Sequence, residues 1–77
     1  MNCLIVDDEP IAQDILKSFI SKVDYLTLVA CCSSANEAFN EVQKNTIDLV
    51  FLDINMPGID GIAFAKIISK EIHIIFT

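Results

Sequence analysis

Apolar residues along this chain fall into short solid runs that alternate with spaced stripes. Cys3 to Val6 is a solid run, halted by Asp7-Asp8-Glu9-Pro10. A run that short, closed by a breaker, predicts a buried strand. Pro10 suits the first turn of a helix, with Asp8 or Glu9 as its cap. Ile11, Ile15, Phe19 and Val23 then recur at every fourth position, flanked by Ala12, Leu16 and Ile20, which predicts an amphipathic helix over 10–23. Leu26 to Cys31 reads as a second strand. Ser34-Ala35-Asn36-Glu37 has the capping-box pattern, and Ala35, Ala38, Phe39 and Val42 continue it as a helix ending near Asn45. Leu49 to Asp53 predicts a third strand, apolar on both faces as a central parallel strand should be. Asn55-Met56-Pro57-Gly58-Ile59 carries turn chemistry. Ile62 to Lys70 has helical spacing at Ala63, Phe64, Ile67 and Ile68, and His73 to Thr77 predicts a fourth strand.

The order is βαβαβαβ. Such alternation with short connections implies an α/β fold, a doubly wound parallel sheet with helices on both faces. The sequence shows no linker, repeat or low-complexity tract, and 77 residues suit one small domain. A chain of this size buries only about 60% of its unfolded surface, so its stability is expected to be marginal.

Composition narrows the class. The chain is 53% hydrophobic and 21% charged, which excludes intrinsic disorder. No apolar run approaches the ~18 residues of a membrane span. Met1-Asn2-Cys3-Leu4 lacks a positive region and leads straight to acids, so no signal peptide is read there. Five lysines, no arginine and eleven acids give a net charge of −6. Direct nucleic-acid binding by this segment is therefore not expected, because the usual bidentate group for phosphate and guanine is missing. Cys3, Cys31 and Cys32 are odd in number and apolar in setting, and read as reduced thiols of a cytoplasmic protein. No Cys-x-x-Cys spacing supports a thiolate metal site.

In parallel α/β sheets ligands bind beyond the carboxyl ends of the strands. Asp7 and Asp8 end the first strand, Asp53 the third and Thr77 the fourth. If the first and third strands are neighbours, about 4.8 Å apart, three carboxylates share one crevice. Three such charges repel strongly unless a cation lies among them. An all-oxygen donor set favours Mg²⁺. Any one of these residues alone would be a solvated loop residue; the combination outweighs that reading.

Ile5-Val6-Asp7-Asp8-Glu9-Pro10 and Leu52-Asp53-Ile54-Asn55-Met56-Pro57-Gly58-Ile59-Asp60-Gly61 resemble the two signature segments of response-regulator receiver domains. The second is the more specific, since its Asp, Met-Pro and later Gly fall at the family's spacing. Thr77 stands where the family has its hydroxyl after the fourth strand. The opening segment also resembles receivers that precede LytTR-type DNA-binding domains. The resemblance covers the whole chain and implies a flavodoxin-like sheet with strand order 2-1-3-4. The family has five βα units, so residues 1–77 are expected to be the N-terminal part of a receiver, with an incomplete sheet. The Lys after the fifth strand, two helices and the output domain lie outside this sequence. An uncharged fourth strand at the sheet edge is expected to pair with a second chain or to belong to a longer polypeptide, and the first helix to expose an apolar patch.

The resemblance also implies chemistry. Asp53 would accept a phosphoryl group from the phosphohistidine of a sensor histidine kinase. Asp8 and Asp53 would bind Mg²⁺ directly, with the Asn55 backbone carbonyl, and Asp7 through water. Thr77 would hydrogen-bond the phosphoryl group and act as a switch. The Asn55 side chain would tune hydrolysis. Glu9 reads as a solvated acid at the helix start, Asp60 as a cap, Gly61 as a backbone requirement and His73 as a surface or packing residue. The chain would be a phospho-acceptor and not a turnover enzyme.

Rival chemistries are weaker. An EF-hand loop beginning at Asp53 would have Pro57 at its fifth position and Phe64 at its twelfth. A haloacid-dehalogenase-like phosphatase also places a nucleophilic Asp after a strand, but needs a second Asp where this chain has Asn55. No dinucleotide or P-loop glycine pattern is present. A receiver-like interaction module that is never phosphorylated is the remaining alternative.

Overall fold

The computed structural model describes residues 1–56, 63, 64, 66, 68 and 71–77. Strands β1 (Asn2–Val6), β2 (Thr27–Cys32), β3 (Leu49–Leu52) and β4 (His73–Phe76) form one parallel sheet in the order β2-β1-β3-β4. Helix α1 (Pro10–Ser21) joins β1 to β2, and α2 (Ala35–Lys44) joins β2 to β3. This is the expected doubly wound parallel arrangement, with β1 and β3 adjacent. Ala63, Phe64 and Lys66 are helical, in line with the third predicted helix. Ile68 N–H donates to the Phe64 carbonyl at 3.2 Å, and the other positions of the expected 62–70 helix, with residues 57–61, lie outside the described residues.

Alternation along the strands sends side chains to two faces. Leu4, Val6, Val50 and Leu52 share one cluster with Cys32, Ala38, Ile47, Met56, Phe64 and Ile68. Ala35, Phe39 and Val42 of α2 pack against that cluster, and the Phe39 and Phe64 rings meet at 5.0 Å. Cys3, Ile5, Leu49 and Phe51 form the other cluster with Ile20, flanked by Leu16 and Cys31. All four residues of β3 are buried, as a strand covered on both sides requires.

On α1 only one side of the predicted stripe meets the sheet. Ile20 is buried and Leu16 packs beside it, while Ile11, Ile15 and Phe19 are 75%, 65% and 52% exposed. Phe19 keeps an edge-to-face contact with Phe51, ring centroids 6.3 Å apart. Among the described residues β4 pairs on one side only, with β3, and Ile75 and Phe76 are exposed.

The helix ends correct three local expectations. Glu9 occupies the N-cap position of α1, but neither it nor Asp8 supplies a side-chain cap. The Glu9 N–H donates instead to Asp7 Oδ1 at 2.9 Å. The helix stops at Ser21, where Lys22 and Val23 N–H groups turn to the Phe19 and Ile20 carbonyls in tighter i→i−3 bonds. At α2, Ser34 Oγ accepts from Glu37 N–H at 3.2 Å, while Glu37 Oε2 accepts from Ser33 N–H at 2.8 Å. The reciprocal half of the capping box thus lands one residue early.

β2 begins at Thr27 and carries an irregularity: Cys3 pairs with Leu28 but Leu4 with Ala30, leaving Val29 as an extra residue. Among the described residues no helix is long and apolar enough to cross a membrane.

Candidate functional site

The site is assembled by sheet hydrogen bonds that run just past the strand ends. Asp7 N–H donates to the Cys32 carbonyl at 2.9 Å, which ties the end of β1 to β2. Asp53 N–H donates to the Val6 carbonyl at 3.0 Å, and Thr77 N–H to the Leu52 carbonyl at 2.9 Å. Asp7, Asp53 and Thr77 are thereby lined up on the carboxyl edge by the same ladder that builds the sheet.

Local turns then aim the carboxylates. Asp7 Oδ1 accepts from Glu9 N–H, and Asp53 Oδ1 from Asn55 N–H, each at 2.9 Å. Both are Asx-type turns, in which the side chain bonds the backbone two residues on. Asp7 is 4% exposed, Asp53 is half-buried and Asp8 is exposed. Carboxylate oxygens of Asp7, Asp8 and Asp53 all lie within 4.8 Å of one another.

Three carboxylates so close, one of them buried, form a concentrated negative site that a divalent cation would relieve. An all-oxygen set with one open side suits a hard ion that retains several waters. The acidic cluster fits a Mg²⁺-type ion by its donor chemistry.

An open cleft of about 410 Å³ lies beside this cluster, lined by Asp7, Asp53, Asn55, Thr77, Glu9 and the α1 residues Ala12, Ile15 and Leu16. The structure therefore brings Asp7, Asp8 and Asp53 together and puts Asn55 and Thr77 on the same cleft. Glu9, read as a solvated helix-start acid, is exposed but reaches the cleft rim. Met56, from the segment with turn chemistry, is buried in the cluster that includes Ala38 of α2. His73 is exposed at the start of β4, its N–H bonded to the Asp48 carbonyl at 2.9 Å.

Sequence reasoning missed the α1 wall of the cleft and Gln13. Gln13 Nε2 donates to the Asp7 carbonyl at 2.5 Å and to Ser33 Oγ at 3.3 Å. Its place in the first turn after an acidic loop was the available signal. A single polar residue on a helix gives no indication of which loop it reaches.

The cysteine side chains do not line the cleft. All three are free. Burial pushes the Cys32 thiol up to about 11, with Glu37 and Glu41 adding to it. Burial also raises Cys3 and Cys31; Lys17 opposes the rise at Cys31.

Known proteins resemble this chain in sequence and fold. The family model of the response regulator receiver domain matches residues 3–77. An uncharacterized response regulatory protein of Yersinia pestis is 38% identical over 78 residues, covering 99% of this chain and 33% of that protein. Transcriptional regulatory protein BtsR of Escherichia coli K12 is 40% identical over 68 residues, covering 88% of this chain and 28% of its own. The isolated REC domain of RcsB from Salmonella enterica serovar Typhimurium, solved in the presence of the phosphomimetic BeF3−, superposes with a TM-score of 0.89 at 26% identity, over 99% of this chain and 59% of that one. The chain thus spans about a third of the length of the curated relatives it matches. The matched family is not that of the phosphatases raised as an alternative for Asp53. With acids at adjacent strand ends, a fold that superposes on a solved receiver domain and a family match from residue 3 to 77, this chain belongs to the response regulator receiver domain family.

Proposed function

We propose that residues 1–77 are the N-terminal part of a receiver that accepts a phosphoryl group on Asp53 from the phosphohistidine of a sensor histidine kinase. The carrying observation is the convergence of Asp7, Asp8 and Asp53 within 4.8 Å at the ends of adjacent strands. The similar REC domain of RcsB, solved in the presence of the phosphomimetic BeF3−, supports the same reading.

Asp8 and Asp53 are the proposed direct ligands of Mg²⁺, joined by the Asn55 carbonyl, with Asp7 acting through water. The chemistry Mg²⁺ supplies in such a site is neutralisation of phosphoryl oxygens and their alignment for in-line displacement. The free carboxylate oxygen of Asp53 attacks phosphorus. A P–O bond forms, the P–N bond breaks and its electron pair leaves with the imidazole. The Asx turn through Asn55 N–H engages Oδ1 of Asp53, which leaves Oδ2 the better nucleophile. The Thr77 hydroxyl, on the same cleft, hydrogen-bonds a phosphoryl oxygen and reports its arrival by moving inward. The Asn55 side chain, also on the cleft, tunes hydrolysis of the acyl phosphate.

The chain is a phospho-acceptor that catalyses its own phosphotransfer and dephosphorylation. The signal passes to an output domain of the LytTR DNA-binding type elsewhere in a cytoplasmic polypeptide, consistent with a transcriptional regulator among its relatives. Pairing of β4 with a second chain is a further part of this proposal, supported by its single-sided pairing and the exposed Ile75 and Phe76. Sedimentation in which the protein stays monomeric at all concentrations would remove that part alone.

The decisive test is labelling of the full polypeptide by a phosphorylated sensor kinase in Mg²⁺. Asp53→Asn should abolish a stoichiometric, acid-stable, base-labile adduct, and Asp8→Ala should weaken Mg²⁺ binding. Undiminished labelling of Asp53→Asn would show that the acceptor lies elsewhere.

A further inference from the structure

The three acids are not held alike. Asp7 and Asp53 each have a carboxylate oxygen fixed by a backbone N–H two residues on. Asp8 is exposed, and among the described residues no hydrogen bond holds its carboxylate. The backbone sets where that side chain begins, and the Asp7–Asp8 peptide plane is part of that backbone.

That plane has one unusual support. Asp7 N–H makes the last bond of the β1 ladder, to Cys32, so the Asp7 carbonyl lies beyond the sheet. The Gln13 amide fills the gap at 2.5 Å. Gln13 is itself placed by the first helical bond of α1, from its N–H to the Glu9 carbonyl at 3.0 Å, and its amide also reaches Ser33 Oγ on the loop after β2. A rigid helix, the acidic loop and the neighbouring loop are thus joined at one side chain. Pinning the Asp7 carbonyl sets the orientation of the following peptide, because the peptide unit is planar.

From this we infer that Gln13 is a positioning residue for the cation site: its amide does for Asp8, through the Asp7 carbonyl, what the Asx turns do for Asp7 and Asp53. The inference rests on the Mg²⁺ reading above. It has a consequence that a purely structural role lacks. Mg²⁺ demands near-ideal octahedral geometry, whereas Ca²⁺ accepts irregular and flexible coordination. Loosening Asp8 should therefore penalise Mg²⁺ more than Ca²⁺.

The test is calorimetric titration of the full polypeptide with Mg²⁺ and with Ca²⁺, comparing wild type, Gln13→Met and Ser33→Ala. Met keeps the length and helix preference of Gln and removes the donor. Gln13→Met should bind Mg²⁺ about three- to tenfold more weakly, the range a single lost hydrogen bond supports, and Ca²⁺ less than about twofold more weakly. Ser33→Ala, which removes only the longer contact, should stay within about twofold for both ions. A melting curve without metal accompanies each variant. Equal losses for both ions, with or without a lower melting temperature, would overturn the positioning role, as would unchanged Mg²⁺ affinity in Gln13→Met. A wild type that binds no Mg²⁺ would instead overturn the reading of the site, and this inference with it.

Discussion

The two faces of the sheet are built from the same strands and finished differently. On the α2 face Leu4, Val6, Val50 and Leu52 share a buried cluster with Ala38 and Phe64, and the partly buried Phe39 packs against it; ten of the described residues are buried there. On the α1 face five of the described residues form the buried cluster, and α1 meets it with Leu16 and Ile20 while Ile11 and Ile15 stand in solvent. The cleft belongs to this second face: Ala12, Ile15 and Leu16 form its wall opposite Asp53 and Thr77. The contrast teaches where the fold leaves space. Among the described residues, packing is denser on the α2 face, and the α1 face is the one that opens beside the acids.

The largest expected effect comes from truncating equivalent leucines on the two faces. Leu52→Ala removes a fully buried side chain from the α2 face and should cost about 2–5 kcal/mol in denaturant unfolding. Leu16→Ala removes the same carbons from a half-buried place and should cost about 1–2 kcal/mol. Equal costs would break the comparison.

Adjacent thiols sharpen it further. Cys31 packs toward the α1 face and is half-buried, whereas Cys32 is buried in the α2-side cluster. Iodoacetamide applied to the folded protein should modify Cys31 well before Cys32, as mass spectrometry of the peptides would show. The fold also favours the neutral Cys32 thiol, with burial raising it from 9.0 to about 11. Because this value is raised on folding, the stability it contributes is complete below pH 9.0 and is lost as pH rises through about 11. The stability difference between wild type and Cys32→Ala should narrow across that window. A difference that stays constant with pH would contradict the buried setting of Cys32.

The smallest effect is expected at the cleft wall. Ile15 is 65% exposed, so Ile15→Ser should change unfolding stability by no more than about 0.5 kcal/mol. A loss near that of Leu16→Ala would mean that the open face is covered in solution.

Much of this was legible in the chain itself. Short apolar runs set the four strands, and Asp7 and Asp53 close the first and third, because a buried parallel strand leaves no polar position to blur its limits. Asp7, Asp8, Asp53 and Thr77 stand at strand ends and Asn55 two residues past Asp53, so the family motifs mark the candidate site in the sequence. The α1 stripe was legible as a stripe only. Periodicity shows that Ile11, Ile15, Phe19 and their neighbours Ala12, Leu16 and Ile20 share a side. It does not show which row the sheet will cover.

The chain by itself determined the alternation of elements, the net negative charge and the acids at the strand ends, because these depend on local pattern and on the obligatory backbone bonding of a parallel sheet. Tertiary structure decided the rest. The slip at Val29 is invisible in Thr27 to Cys32, where almost every residue is apolar and neither register is marked by alternation. The closeness of Asp8 to Asp53 required β1 and β3 to be neighbours, which is a long-range choice. The bond from Gln13 to the Asp7 carbonyl required α1 to return over the end of its own strand. Contacts such as these arise from how whole elements pack, and no local propensity encodes them.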